Sequence, residues 1–196
     1  MHVIAAGLRR TGSTWLYNVA RLGYAKNPTA AGFGPVKHFP EHYEVIKSHA
    51  FCESYRPHLK SCTVLMSVRD PRDIAASAIR HGEIPDIDFF LKKEYHNYLQ
   101  WRPYVNLEIR YEDIAEHPIQ TIENILNILG SKKDPIQVAT EVKNLPFPEY
   151  HDPLTELWHN HVTNGKPGSY RETLDEKTIS MIEHDHEEFI STLGYS

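Results

Sequence analysis

Val3-Ile4-Ala5-Ala6-Gly7-Leu8-Arg9-Arg10-Thr11-Gly12-Ser13-Thr14-Trp15 runs from an apolar stretch through a glycine-bounded turn into the start of an amphipathic segment. A short strand followed by such a turn aims backbone N–H groups and a helix N-terminus at an anion. From Gly7 onward the spacing is that of a phosphate-binding P-loop, G-x-x-x-x-G followed by hydroxyl residues. One position departs from that pattern. A nucleotide triphosphatase places Lys directly after the second glycine, whereas here that position is Ser13 and the positive charge comes earlier, in Arg9 and Arg10. The turn suits a phosphate-like group but not the β- and γ-phosphates and magnesium of ATP.

Downstream of the turn, Trp15, Leu16, Val19 and Ala20 recur at helical spacing until Gly23 stops the helix. Residues 25–43 read as loop from their Pro and Gly content, yet carry Phe33, Phe39 and Tyr43, which either pin the loop to the core or face a ligand. Residues 45–49 read as a second strand ending in Lys47-Ser48-His49. Residues 62–68 are continuously apolar, as in the centre of a parallel sheet, and deliver Arg69 to the carboxyl edge where ligands bind.

Asp70 is a good N-cap, Pro71 fits the first turn, and Arg80-His81-Gly82 closes the helix, with Ile74, Ala75, Ala78 and Ile79 as its buried face and Ser77 off that stripe. A helix over 86–101 would bury Ile87, Phe90, Leu91, Tyr95, Tyr98 and Leu99. A core strand over 105–110 leads into Tyr111-Glu112-Asp113, and helical pattern resumes over 118–129 with Ile119, Ile122, Ile125, Leu126 and Leu129. Residues 135–143 form one more short helix, residues 145–170 lack periodicity and read as a flexible, ligand-contacting segment, and a last helix runs over 175–193. Strands alternating with helices imply a parallel sheet covered on both faces, a three-layer α/β/α domain spanning residues 1–196.

Composition narrows the function. The 196 residues carry a formal net charge of -5, which argues against a general nucleic-acid binder, so any anion site is a local cluster of Arg and Lys. No stretch has the roughly 18 apolar residues of a membrane span, and no secretory leader is expected, so a cytoplasmic location follows. Cys52 and Cys62 are too few for a disulfide framework and are expected to be free thiols. The pairs His159/His161, His184/His186 and His38/His42 invite a metal reading, but each also fits a surface or loop histidine, and no metal is expected.

In this order, the stretches resemble the sulfotransferases that use 3′-phosphoadenosine 5′-phosphosulfate (PAPS). Arg10-Thr11-Gly12-Ser13-Thr14-Trp15 is similar to the family's 5′-phosphosulfate loop, and Lys47-Ser48-His49 to the stretch that carries its catalytic base. Arg69 through Ser77, with the Ser eight positions after the Arg, resembles the motif that grips the 3′-phosphate. Tyr111-Glu112-Asp113-Ile114 is similar to the segment after a core strand, and Gly165-Lys166-Pro167-Gly168-Ser169-Tyr170 to the C-terminal stretch near the 3′-phosphate. There the chain departs from the family, with Thr163-Asn164 where Arg-Lys often precedes the first glycine, so Lys166 would supply the basic contact.

The resemblance implies PAPS as the cofactor, held by Arg9, Arg10, Thr11, Gly12, Ser13, Thr14, Trp15, Arg69, Ser77, Tyr111, Gly165 and Lys166. It implies His49 as general base, with Lys47 and Arg10 stabilising the transferring group, and a small hydroxylated acceptor as partner. The chemistry is coherent on its own terms: the cofactor is anionic at both ends and needs two seats on one sheet edge. An imidazole with a reference pKa of about 6.5 can take a proton at neutral pH. Phe33, Phe39, Tyr43, Phe51, Phe89 and Phe90 could line the acceptor pocket or equally be core. The competing readings are a divergent P-loop kinase and an inactive nucleotide-binding module.

Overall fold

The computed structural model describes residues 1–34, 37–82, 86–159 and 165–196. Pro35 of the expected loop over 25–43 lies outside the described residues, as do His161 and Thr163-Asn164. The described strands are β1 (His2–Gly7), β2 (Ala31–Phe33), β3 (Val45–Ser48), β4 (Cys62–Val68), β5 (Leu107–Arg110), β6 (His151–Asp152) and β7 (Leu157–Trp158). The α-helices are α1 (Ser13–Gly23), α2 (Pro71–Arg80), α3 (Ile87–Trp101), α4 (Tyr111–Glu116), α5 (Pro118–Ile128), α6 (Pro135–Lys143), α7 (Tyr170–Thr173), α8 (Glu176–Asp185) and α9 (Glu187–Thr192).

Among the described residues the main sheet has five strands in the order β2-β3-β1-β4-β5, and each neighbouring pair is parallel. Alternation along the strands sorts the side chains into two layers. Ile4 and Ala6 of β1 join Val64, Met66 and Val68 of β4 in a core beneath α2, α3, α8 and α9. Val3, Ala5 and Leu65 point the other way, into a core with α1, α5 and α6. The fold is therefore the three-layer α/β/α arrangement read from the sequence. The parallel pairing puts Gly7 opposite Ser67 and Ala6 opposite Ser48, so the turns after β1, β3 and β4 open on one edge.

Several local expectations change. The loop over 25–43 contains an edge strand, β2, whose three residues are too few to show a period. Ile79, Leu99 and Ile119 fit the helical stripes but are 39%, 42% and 41% exposed, because each lies at the margin of its packed face. The last helix is broken at His186, which leaves the helical region with φ -124 and is buried at the junction of α8 and α9. Residues 145–170 hold an antiparallel hairpin, β6–β7, with His151 opposite Trp158. Asp152 closes its turn by accepting from the Leu154 N–H at 2.9 Å and the Thr155 hydroxyl at 2.7 Å.

Candidate active site

The glycine-bounded turn is shaped by its close neighbours. A Cβ on Gly7 would lie 2.6 Å from Ser67 Oγ and 2.7 Å from Ser13 Cβ, so β1 can end against β4 only as glycine. Gly12 caps α1 in the left-handed region at φ 82, with Tyr111 and Ile114 packed where a side chain would go. Arg10 holds φ 67 as a non-glycine residue, local strain of a kind that clusters where ligands are held. The Thr11 hydroxyl donates to the Leu8 carbonyl at 2.6 Å and lies 2.8 Å from Ser67 Oγ, so it braces the turn from behind.

The strand ends deliver the remaining groups. Lys47, 3% exposed at the end of β3, donates from Nζ to Thr14 Oγ1 at 2.8 Å, in the first turn of α1. Burial pushes its ammonium down to about 8, with Arg10 adding to that effect and the Glu156 carboxylate opposing it. His49 Nδ1 lies 2.7 Å from the Gly7 carbonyl oxygen. A carbonyl can only accept, so Nδ1 carries the hydrogen and Nε2 is the basic nitrogen of the neutral ring.

Arg69 follows β4 and is 2% exposed. Its guanidinium lies 3.9 Å from the Tyr111 ring centroid, and its Nη atoms donate to the carbonyls of Arg10 at 3.3 Å and Lys166 at 3.2 Å. Asp73 Oδ2 stands 3.7 Å away, yet Arg69 Nε is buried with no hydrogen-bond partner among the described residues. A buried unpaired guanidinium N–H is costly unless something else takes it. On α2, Ser77 Oγ accepts from Arg10 Nε at 3.0 Å, which joins the first turn to the Arg69 region.

Asp73 accepts from the backbone N–H groups of Gly168 at 2.6 Å and Tyr170 at 2.9 Å, and Tyr111 donates its hydroxyl to the Gly165 carbonyl at 2.9 Å. The C-terminal turn is thereby fastened over the same edge.

These groups meet in one cleft of about 990 Å³, lined by Arg9, Arg10, Gly12, Ser13, Thr14, Trp15, Lys47, His49, Arg69, Ser77, Tyr111 and Gly165 from the sequence-derived set. Thr11 and Lys166 are not in that lining: Thr11 is turned into the core, and Lys166 meets the site through its carbonyl on Arg69. Arg9 lines the cleft with its Nε engaged by Glu94.

Sequence reasoning missed His81, Ile114, Glu149, Tyr150, Trp158 and His159, which also line it. Residues 149–159 belong to the aperiodic segment, which offered no pattern from which to choose individual side chains. Their wall is docked on α1 by Tyr17, whose hydroxyl donates to the Leu154 carbonyl at 2.8 Å. Asn18 adds a second tie, its amide donating to the carbonyls of Thr14 and Thr155 at 2.9 and 2.8 Å. Of the aromatics considered for an acceptor pocket, Phe39 and Phe90 are packed in the core, Tyr43 and Phe51 are partly buried against it, Phe89 is 67% exposed, and Phe33 lies with its ring 5.6 Å from that of His49.

A parallel α/β domain with a cation-lined cleft at the carboxyl edge of its sheet and a loop-capped helix N-terminus beneath it is the class of protein that these features define. The sulfotransferase domain model matches residues 29–193, and the chain belongs to that family. No curated protein matches it in sequence. Mouse sulfotransferase SULT7A1 complexed with PAP superposes with a TM-score of 0.71 at 15% identity, covering 97% of this chain and 84% of that one. Retinol dehydratase in complex with retinol and PAP gives 0.62 at 15%, covering 96% and 81%. Its complex with androsterone and inactive cofactor PAP gives 0.63 at 15%, covering 96% and 80%. At these identities the structural likeness speaks for the fold. No described helix is long and apolar enough to cross a membrane.

Proposed function

We propose that the protein transfers a sulfuryl group from PAPS to the hydroxyl of a small acceptor. The observation that carries this reading is the meeting, in one cleft, of Lys47 and the α1 N-terminus, of Arg69 with Ser77, and of a histidine whose basic nitrogen is set by a backbone carbonyl. A molecule anionic at both ends suits such a pair of cationic seats. Arg69 Nε, buried and without a described partner, supports an anion as its missing acceptor.

The N–H groups of the turn, Lys47 and Arg10 would hold the 5′ end, and Arg69 and Ser77 the 3′-phosphate. Trp15, Tyr150 and Trp158 offer flat faces suited to a base. PAPS, when bound, supplies the activated sulfuryl group. His49 Nε2 takes the acceptor's proton, and Lys47 and Arg10 present fixed positive charge to the oxygens on which negative charge grows. The small molecules in the retinol dehydratase complexes support a small acceptor here. Cys52 and Cys62, both free and buried, suit the reducing cytoplasm.

The test is an acceptor screen with sulfur-labelled PAPS, run beside thermal stabilisation by 3′-phosphoadenosine 5′-phosphate (PAP) without metal and by ATP with magnesium. PAP at 100 times its dissociation constant should add about 2.7 kcal/mol of stability. Stabilisation by ATP with magnesium and none by PAP would overturn this reading and leave the kinase alternative to be tested by phosphoryl transfer.

A further inference from the structure

The family resemblance puts Arg9 at the cofactor, but its contacts run to a different element. Glu94 on α3 has a side chain 1% exposed, and it reaches across 85 positions of sequence to hold Arg9 at two points. Its Oε2 accepts the Arg9 backbone N–H at 2.9 Å and its Oε1 accepts Arg9 Nε at 2.8 Å. Phe90, one turn earlier on α3, lies beneath the guanidinium at 4.4 Å from ring centroid to Cζ. Arg9 sits two residues after Gly7, whose carbonyl holds His49, and directly before the left-handed Arg10.

We infer that Glu94 is a positioning residue for the anion-binding turn: by accepting the Arg9 backbone N–H from buried α3, it fixes the chain where it must enter the left-handed conformation at Arg10. The inference rests on the PAPS reading above. A carboxylate buried close behind an anion seat would by itself oppose the anion, and Arg9 neutralises it. The pair therefore fixes the shape of the turn without making its field more negative. Glu94 does not itself line the cleft, so its influence passes through Arg9.

The two contacts make separable predictions. Glu94→Met fills the volume but leaves the Arg9 N–H without an acceptor, and should weaken PAP binding at least about 10-fold, or about 1.4 kcal/mol. Glu94→Gln keeps an acceptor oxygen and should restore binding to within about 3-fold of the parent. Arg9→Ala removes the guanidinium but keeps the backbone anchor, and should weaken binding less than Glu94→Met does. The affinities are read by calorimetry below the melting temperature of each variant.

Binding by Glu94→Met within about 3-fold of the parent overturns the assignment. So does a loss in Arg9→Ala equal to or greater than that in Glu94→Met, since Arg9 would then act through its own charge. Should Glu94→Met not fold, amide exchange at Arg9 in the parent and in Glu94→Gln still decides the matter: an Arg9 N–H protected in both, with PAP affinity in Glu94→Gln within about 3-fold of the parent, supports the anchor, whereas an unprotected Arg9 N–H in the parent or a loss of about 10-fold or more in Glu94→Gln overturns it. Parent protein that binds no PAP overturns the PAPS reading instead, which keeps the two failures apart.

Discussion

At the scale of single residues, the cleft sets one tautomer and shifts one ammonium, by different means. The His49 tautomer follows from a backbone carbonyl 2.7 Å from Nδ1. On the proposed mechanism, in which the ring serves the acceptor, His49→Ala should lower sulfuryl transfer by about 10²-fold or more while PAP affinity stays within a few-fold. Steady-state rates with the true acceptor and PAP titrations check this, and normal turnover would remove His49 from the mechanism. Lys47 is controlled by burial, which lowers its ammonium from the ordinary 10.5 to about 8. The unfolded chain therefore binds more protons than the folded one between these values, and the Lys47 contribution to stability rises with pH across that window. An incoming anion restores the charged form, so PAP binding at a pH of about 8.5 should take up protons, and affinity should fall as pH rises past about 8. Calorimetry in buffers of different ionisation enthalpy measures the uptake, which Lys47→Met should abolish.

At the scale of elements, α2 joins the parts of the site. Asp70 caps it by accepting from the Arg72 N–H at 2.8 Å, Ser77 faces Arg10, and Asp73 takes two backbone N–H groups of the C-terminal turn. Asp73→Ala would leave the buried Tyr170 N–H without its acceptor at about 1–3 kcal/mol, and the partly buried Gly168 N–H at less. Its melting temperature and PAP affinity should fall together, and an unchanged affinity would mean that the turn stays in place without Asp73.

Much of α2 was legible in the sequence, since Asp70, Pro71 and the apolar spacing of Ile74, Ala75 and Ala78 are local signals. The strand-end groups Lys47, His49 and Arg69 were legible for a related reason: a parallel sheet brings the C-terminal ends of its strands, and the residues just beyond them, to one edge. Of the hairpin wall only the segment was legible, as the ligand-contacting stretch over 145–170, and not its strands or its side chains. Tyr150 and Trp158 are placed by a docking of Leu154 and Thr155 on Tyr17 and Asn18 whose sequence separation is 137 residues, and no local pattern encodes that contact. Glu94 was hidden in the same way, a carboxylate on an amphipathic helix whose partner lies 85 positions away.

At the scale of the whole molecule, β1 lies in the middle of the sheet, paired with β3 on one side and β4 on the other. The earliest strand thus finds its partners only after residues 45–48 and 62–68 are in place. The cleft is assembled from still farther apart, from Arg9 to Gly165. Cofactor affinity is accordingly a reporter of global folding and not of any one segment. In a denaturant titration, loss of PAP binding and loss of helical circular dichroism should coincide at subsaturating PAP, as expected for one cooperative unit. An earlier loss of binding would locate a separately melting part of the cleft wall. The same dispersion bears on synthesis: the residues of both proposed anion seats lie at or before Ser77 in the chain, whereas the wall and the C-terminal turn that close over them come from Tyr111, residues 149–159 and Gly165.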